Sequence, residues 1–195
     1  MPSCARACIV LNYQLVIKGN RFNEESEQSM AETTENTVNL PYKNPELPTE
    51  ERIADLLGRM TLEEKVGQMF IARCPETDAA SKVTQYHLGG YILFARDFTG
   101  KTKEEVTAAI QSYQNAAKMP LLIGVDEEGG TVNRVSKNTN LRKTPFASPQ
   151  ELYTAGGWDM IRSDTQEKGQ LLQSLGINLN FAPVCDVSQD PQDFI

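Results

Sequence analysis

The chain has 195 residues, 39% apolar and 23% charged, with 13 glycines and 10 prolines. That length gives one domain with room for a tail, and that balance excludes collagen-like, low-complexity and wholly disordered classes. Nineteen basic against 26 acidic residues leave a net charge of -7, a poor electrostatic match for nucleic acid or an anionic membrane, and no run approaches the roughly 20 apolar residues that span a bilayer.

Residues 1–43 read as a disordered leader. An apolar stretch starts at Ala7 and is interrupted by Asn12, Tyr13 and Gln14, with no small-residue cleavage site after it, so it lacks the core of a secretory signal. Residues 20–50 are polar and acidic and bury little, and Met30 within them is a candidate true start. Cys4, Cys8, Cys74 and Cys185 match neither a disulfide framework nor paired zinc spacing. They read as reduced thiols, which points to the cytoplasm and leaves secretion open.

From Thr49 the pattern becomes regular. Ile53, Leu56, Leu57 and Met60 recur at helical spacing. Thr61-Leu62-Glu63-Glu64 is a capping box opening a second helix through Met69, and Phe70-Ile71-Ala72 reads as a short buried strand. A helix over 76–88 is broken by Gly89-Gly90, and Tyr91–Ala95 is a continuous apolar strand. Thr102 to Glu105 is another capping box, opening a helix with Val106, Ile110, Tyr113 and Ala117 on one face; Pro120 ends it. Leu121–Val125 is the next strand. Ser148-Pro149-Gln150-Glu151 caps a further helical region, with proline at the favoured first position. A longer helix over 157–175 stops at Gly176, before a last strand over 177–184.

Continuous apolar strands alternating with amphipathic helices predict an α/β fold of parallel strands covered on both faces, either doubly wound or a (β/α)8 TIM barrel. No strand leads into G-x-G-x-x-G and no Walker A pattern occurs, so no nucleotide loop is expected. The one histidine, His87, cannot build a multi-histidine metal site.

Sites in parallel α/β folds collect at the carboxyl ends of strands. Arg96 and Asp97 follow the second strand, Asp126, Glu127, Glu128, Gly129 and Gly130 the third, with Arg134 soon after, and Cys185 and Asp186 the fourth. A carboxylate there can accept two sugar hydroxyls, and a nearby Arg keeps it ionised while donating to ligand oxygens itself. An Asp after a strand is also a common helix cap or turn residue, and Glu127 and Glu128 could be solvated loop charges.

At these residues the sequence resembles glycoside hydrolase family 3. Residues Gly124 to Arg134 are similar to that family's D-x-E-G-G-x-V-x-R segment, Gly89 to Arg96 to its second strand, Leu175 to Val187 to its fourth, and Met60 to Met69 to the approach to its first. The likeness runs over 44–195, a partial N-terminal domain, and the E-G-G version resembles the beta-N-acetylhexosaminidase branch. The resemblance implies that the chain is the N-terminal half of a (β/α)8 TIM barrel that hydrolyses terminal beta-linked N-acetylglucosamine with retention, from a nucleophilic carboxylate and a proton donor, without cofactor. It places Asp126 and Arg134 at the sugar, with Arg96 and Asp186 lining or supporting the same pocket. The implied partner is a small N-acetylglucosamine-containing glycoside, with no nucleic acid and no membrane.

The family's next sugar-binding Arg, its Lys-His pair, its catalytic loop His and its nucleophilic Asp correspond to positions beyond Ile195, so no catalytic residue is expected within the chain. His87 matches no catalytic position and reads as a helix C-terminal or surface residue, and Thr131 stands where Arg is common. Half a barrel also leaves an open strand edge, which predicts marginal stability or self-association. The alternatives are a non-catalytic sugar-binding half-barrel, a beta-glucosidase-type member of the same family, and an unrelated doubly wound binding protein, which a non-sequential strand order would favour.

Overall fold

A computed structural model describes residues 40–186, so the expected leader lies outside the described residues up to position 39, as do Cys4, Cys8 and Val187. The chain divides into two compact units, Met1–Lys65 and Val66–Ile195. In the first, Pro41–Lys43 form a single 3-10 turn and Thr49–Arg59 form helix α1. Asp55 on α1 accepts the Tyr42 amide at 3.2 Å and Arg59 at 2.9 Å, and Arg52 Nε donates to the Tyr42 carbonyl at 3.0 Å. The Arg59 hydrogen bond holds the Asp55 carboxyl below its usual range. Residues 41–43, expected within the leader, are therefore tied to the helix. Thr61 and Glu64 exchange the two bonds of the expected capping box ahead of α2, Leu62–Gly67, which stops short of the expected Met69.

The second unit holds one parallel sheet: β1 (Ile71–Arg73), β2 (Gly90–Leu93), β3 (Leu122–Val125) and β4 (Leu179–Asn180), side by side in chain order. Helices α3 (Ala79–Tyr86), α4 (Ala95–Phe98), α5 (Lys103–Ala116) and α6 (Pro149–Ser174) lie between the strands in sequence. A doubly wound sheet reverses its order at a switch point, whereas a barrel adds strands in sequence, so the observed order is the barrel's.

Register explains the core. Tyr91 pairs with Ile123 and Leu93 with Val125, so all four side chains share one face. They are buried there against Val83 of α3, Val106 and Ile110 of α5 and Leu172 of α6. Each such side chain contributes at most about 2–3 kcal/mol. The other face, a barrel's interior, carries Arg73 opposite Ile92, Ile92 opposite Gly124, and Gly124 opposite Leu179. The Phe181 ring packs over Gly124, where any side chain would collide with it.

Several boundaries differ from the pattern. β2 ends at Leu93, because the Asp97 carboxylate accepts the Phe94 amide at 2.7 Å and turns the chain into α4. Asp97 is thus a helix cap. The helical stretch from Pro149 holds two non-helical residues, Gly156 and Gly157, where the sequence predicts its break. β4 is two residues long instead of eight. Asn178 takes over a rung by accepting the Ile123 amide at 2.8 Å and donating to the Leu121 carbonyl at 2.9 Å. Asn180 does the same at the other end, with the Glu127 amide at 2.9 Å and its carbonyl at 3.1 Å.

Candidate functional site

The loop after β3 is built on a buried carboxylate. Glu127 is fully buried and accepts the backbone amides of Arg134 and Val135, both at 2.7 Å, and of Ser136 at 3.1 Å, together with the Ser136 hydroxyl. Of the readings the sequence left open for Glu127, a solvated loop charge is therefore ruled out. Its backbone position, clamped by Asn180, turns it inward, and four donors replace the water it loses. Sequence pattern cannot find this role, because the donors return seven to nine residues later.

Between Glu127 and Arg134 the chain makes a tight reversal. The Glu128 amide donates to the Val132 carbonyl at 3.0 Å, and the Gly130 amide to the Phe146 carbonyl at 2.9 Å. Gly129 and Gly130 have φ of 105° and 62°, and a Cβ on Gly129 would collide with the Ala147 carbonyl oxygen. Only glycine satisfies both demands. Asn133 closes the loop from within, its amide donating to the Gly130 carbonyl at 2.9 Å and the Phe146 carbonyl at 3.0 Å.

This scaffold brings Asp126 and Arg134 together: Arg134 Nη2 lies 3.7 Å from Asp126 Oδ2, and both side chains remain partly open to solvent. Arg134 Nε is buried without a hydrogen-bond partner among the described residues. The Arg134 guanidinium lies 5.7 Å from the centroid of the Phe94 ring, and that of Arg73 lies 5.0 Å from it. Two cations therefore share one aromatic ring at the strand tips. Arg73 has no hydrogen bond or ion pair among the described residues and is exposed on the sheet's inner face. Sequence reasoning missed it, although the strand-end rule applied to β1 identifies it. Burial and the neighbouring Asp126 charge hold the Glu128 carboxyl above its ordinary range.

Neither of the other two expected site residues makes a hydrogen bond or ion pair with Asp126 or Arg134 among the described residues. Arg96 makes an ion pair with Glu76 at 2.7 Å, donates to the Cys74 carbonyl and sits 3.8 Å from Asp97, which ties the end of β1 to α4. Its contacts are those of a support. Asp186 is exposed and makes no hydrogen bond or ion pair among the described residues. His87 is the left-handed C-cap of α3, its amide donating to the Val83 carbonyl. It precedes β2, so it stands at the amino end of the sheet, whereas Asp126 stands at the carboxyl end of β3. Among the described residues no cluster of three metal-ligating side chains occurs, and no helix is long and apolar enough to cross a membrane.

Residues 61–195 match the model of the glycosyl hydrolase family 3 N terminal domain. The chain is 34% identical to beta-hexosaminidase A of Pseudoalteromonas piscicida, over 57% of this chain and 19% of that protein. It is 33% identical to beta-hexosaminidase LpqI of Mycobacterium tuberculosis, over 68% of this chain and 33% of the relative. The solved LpqI structure matches with a TM-score of 0.60 at 27% identity, over 72% of this chain and 39% of that one. A family 3 beta-N-acetylglucosaminidase from Paenibacillus matches with a TM-score of 0.53 at 33% identity, over 64% and 24%. The chain thus spans between a fifth and a third of the length of these curated relatives.

Proposed function

Because the chain belongs to glycosyl hydrolase family 3, we propose that Asp126 and Arg134 hold the terminal beta-linked N-acetylglucosamine of a glycoside. The observation that carries this reading is the pair itself, set 3.7 Å apart at a strand tip on a rigid loop. Asp126 offers lone pairs to two adjacent ring hydroxyls, and Arg134 donates to a sugar oxygen. Phe94 and Glu127 fix the Arg134 side chain and backbone, so little ordering is left to binding. The names of the relatives support N-acetylglucosamine over glucose.

The reaction of the whole protein is retaining hydrolysis, which needs a nucleophilic carboxylate and a proton donor on opposite sides of the glycosidic bond. Within these 195 residues Glu127 is engaged by four donors, and the one histidine stands at the far end of the sheet. On this reading the 195-residue polypeptide binds the sugar without cleaving it. We place the chain in the cytoplasm, a reducing compartment in which a buried thiol such as Cys74 stays reduced.

The test is a titration of the 195-residue chain with N-acetylglucosamine, followed by amide NMR, beside a hydrolysis assay on 4-nitrophenyl N-acetyl-beta-glucosaminide. Saturable shifts at residues 126–134, lost in Asp126→Ala, with no hydrolysis, are expected. Undiminished binding in Asp126→Ala overturns the site. Glucose binding as tightly as N-acetylglucosamine moves the reading to a beta-glucosidase, and turnover by the wild-type chain overturns its inactivity.

A further inference from the structure

Helix α6 carries a buried charge where its periodicity calls for an apolar residue. Asp164, Lys168 and Leu172 follow one another every four residues, so they share one face, and Leu172 ends in the apolar core. Lys168 on that face is buried. Packing alone would be met at lower cost by methionine or leucine, because a buried cation gives up its water.

The contacts of Lys168 reach the loop after β3. Its Nζ donates to the Glu128 carbonyl at 3.1 Å, pairs with Asp164 Oδ2 at 3.2 Å and lies 5.0 Å from the centroid of the Phe146 ring. Glu128 stands two residues from Asp126, and its amide closes the reversal on the Val132 carbonyl. The Phe146 carbonyl accepts the Gly130 amide at 2.9 Å. One ammonium therefore touches both sides of the loop that presents Asp126 and Arg134.

The charges agree with the contacts. The loop sets two carboxylates, Asp126 and Glu128, beside one guanidinium, that of Arg134. Burial and Asp126 push the Glu128 carboxyl up, while Arg134 and Lys168 draw it down. Lys168 is thus a second cation for the pair of carboxylates, delivered from α6. The other charges packed around it are matched. Asp164 is its ion-pair partner, and Arg142, 4.0 Å from the centroid of the same Phe146 ring, is engaged by Glu167 at 2.9 Å.

We propose that Lys168 is a positioning residue, which fixes the Glu128 backbone and balances the Glu128 charge from α6, so that Arg134 stays with Asp126 for the sugar. The identity of the sugar rests on the glycoside-binding reading, and the hold on the loop stands on the contacts of Lys168 itself.

The experiment compares the 195-residue chain with Lys168→Arg, Lys168→Met and the double variant Lys168→Met/Asp164→Asn, which leaves no lone buried carboxylate. Each protein is titrated with N-acetylglucosamine, and the Glu128 carboxyl is followed by carbon NMR across pH. Lys168→Met and the double variant are expected to bind the sugar about tenfold more weakly, with altered amide shifts across 126–134. In both, the titration midpoint of Glu128 is expected to rise above that of the wild type, because a nearby cation has gone. Lys168→Arg keeps the charge and the donors, so it is expected to stay within about threefold of wild-type affinity and to keep the Glu128 midpoint. A role in packing alone moves the urea midpoint and leaves the Glu128 titration where it was. An unmoved Glu128 midpoint in the double variant therefore overturns the proposal, as does a loss of binding in Lys168→Arg as large as in Lys168→Met. Absence of saturable N-acetylglucosamine binding in the wild type removes the glycoside reading. A Glu128 midpoint that moves in the Met variants and stays in Lys168→Arg then leaves the hold on the loop standing.

Discussion

Two adjacent glutamates in the loop after β3 meet opposite fates. The Glu127 carboxylate is surrounded by amides and a hydroxyl, so it fixes the return of the chain through residues 134–136 and with it the origin of the Arg134 side chain. Truncation leaves three buried amides without acceptors, each costing about 1–3 kcal/mol. Glu127→Ala is expected to destabilise the chain by about 3 kcal/mol or more, read as a fall in the urea midpoint, while Glu127→Gln, which keeps one acceptor, falls between. A midpoint within error of wild type in Glu127→Ala contradicts the role. Glu128 is the converse case. Burial, and then repulsion from Asp126, raises its carboxyl above the ordinary 4.5. The folded chain keeps a proton that the unfolded chain has released, so stability declines as pH rises from the ordinary value through the raised one. Glu128→Gln has no proton to lose. It is expected to match wild type near pH 4 and exceed it at pH 7.5, and parallel stability curves for the two proteins contradict the assignment.

Elements were legible where one periodicity or one local cap decides them. The boxes at Thr61, Thr102 and Ser148 form as the sequence implies, because both partners lie within one turn. The strand cores at Tyr91–Leu93 and Ile123–Val125 follow from their apolar runs. Asp126 and Arg134 were legible as a spaced motif at a strand end, and the structure sets them 3.7 Å apart. What the pattern missed depends on partners distant in sequence. Glu127 needs the returning loop, and the position of Arg73 above Phe94 needs the β1–β2 register. The shortness of β4 reflects asparagines that replace backbone rungs with side-chain amides, and Pro183, which has no N–H to continue the ladder. Asn180→Ala tests that substitution of rungs. It strips the amide and carbonyl of Glu127 of their partners at once and is expected to cost about 2 kcal/mol. Faster amide hydrogen exchange is expected at Glu127, with Ile123, held by Asn178, serving as the internal control. Equal exchange at Glu127 in both proteins means that β4 holds the loop through its backbone alone.

At the scale of the whole polypeptide the question is what covers the sheet's two outer strands. Among the described residues β1 pairs only with β2 and β4 only with β3, so each presents one unpaired backbone edge. Beside β4, Phe181 and Val184 each leave 38% of their surface in solvent. Unpaired edges flanked by apolar side chains recruit further strands, and another copy of this chain supplies them. The net charge of -7 acts against that encounter, since two copies repel across a low-salt solution. The 195-residue chain is therefore expected to self-associate in a concentration-dependent manner, and more strongly at 0.5 M than at 0.05 M salt, where the screening length is longer, in the range of about 10–30 Å. Sedimentation velocity over a hundredfold range of concentration reads both effects. Val184→Lys adds a charge beside the edge without touching the Phe181–Gly124 contact. It is expected to shift the association midpoint to higher concentration while the circular dichroism spectrum stays unchanged. A single monomeric boundary at every concentration and salt means that some other part of the chain already occupies these edges. Stronger association at low salt means that opposite-charge contacts, and not the strand edges, hold the copies together.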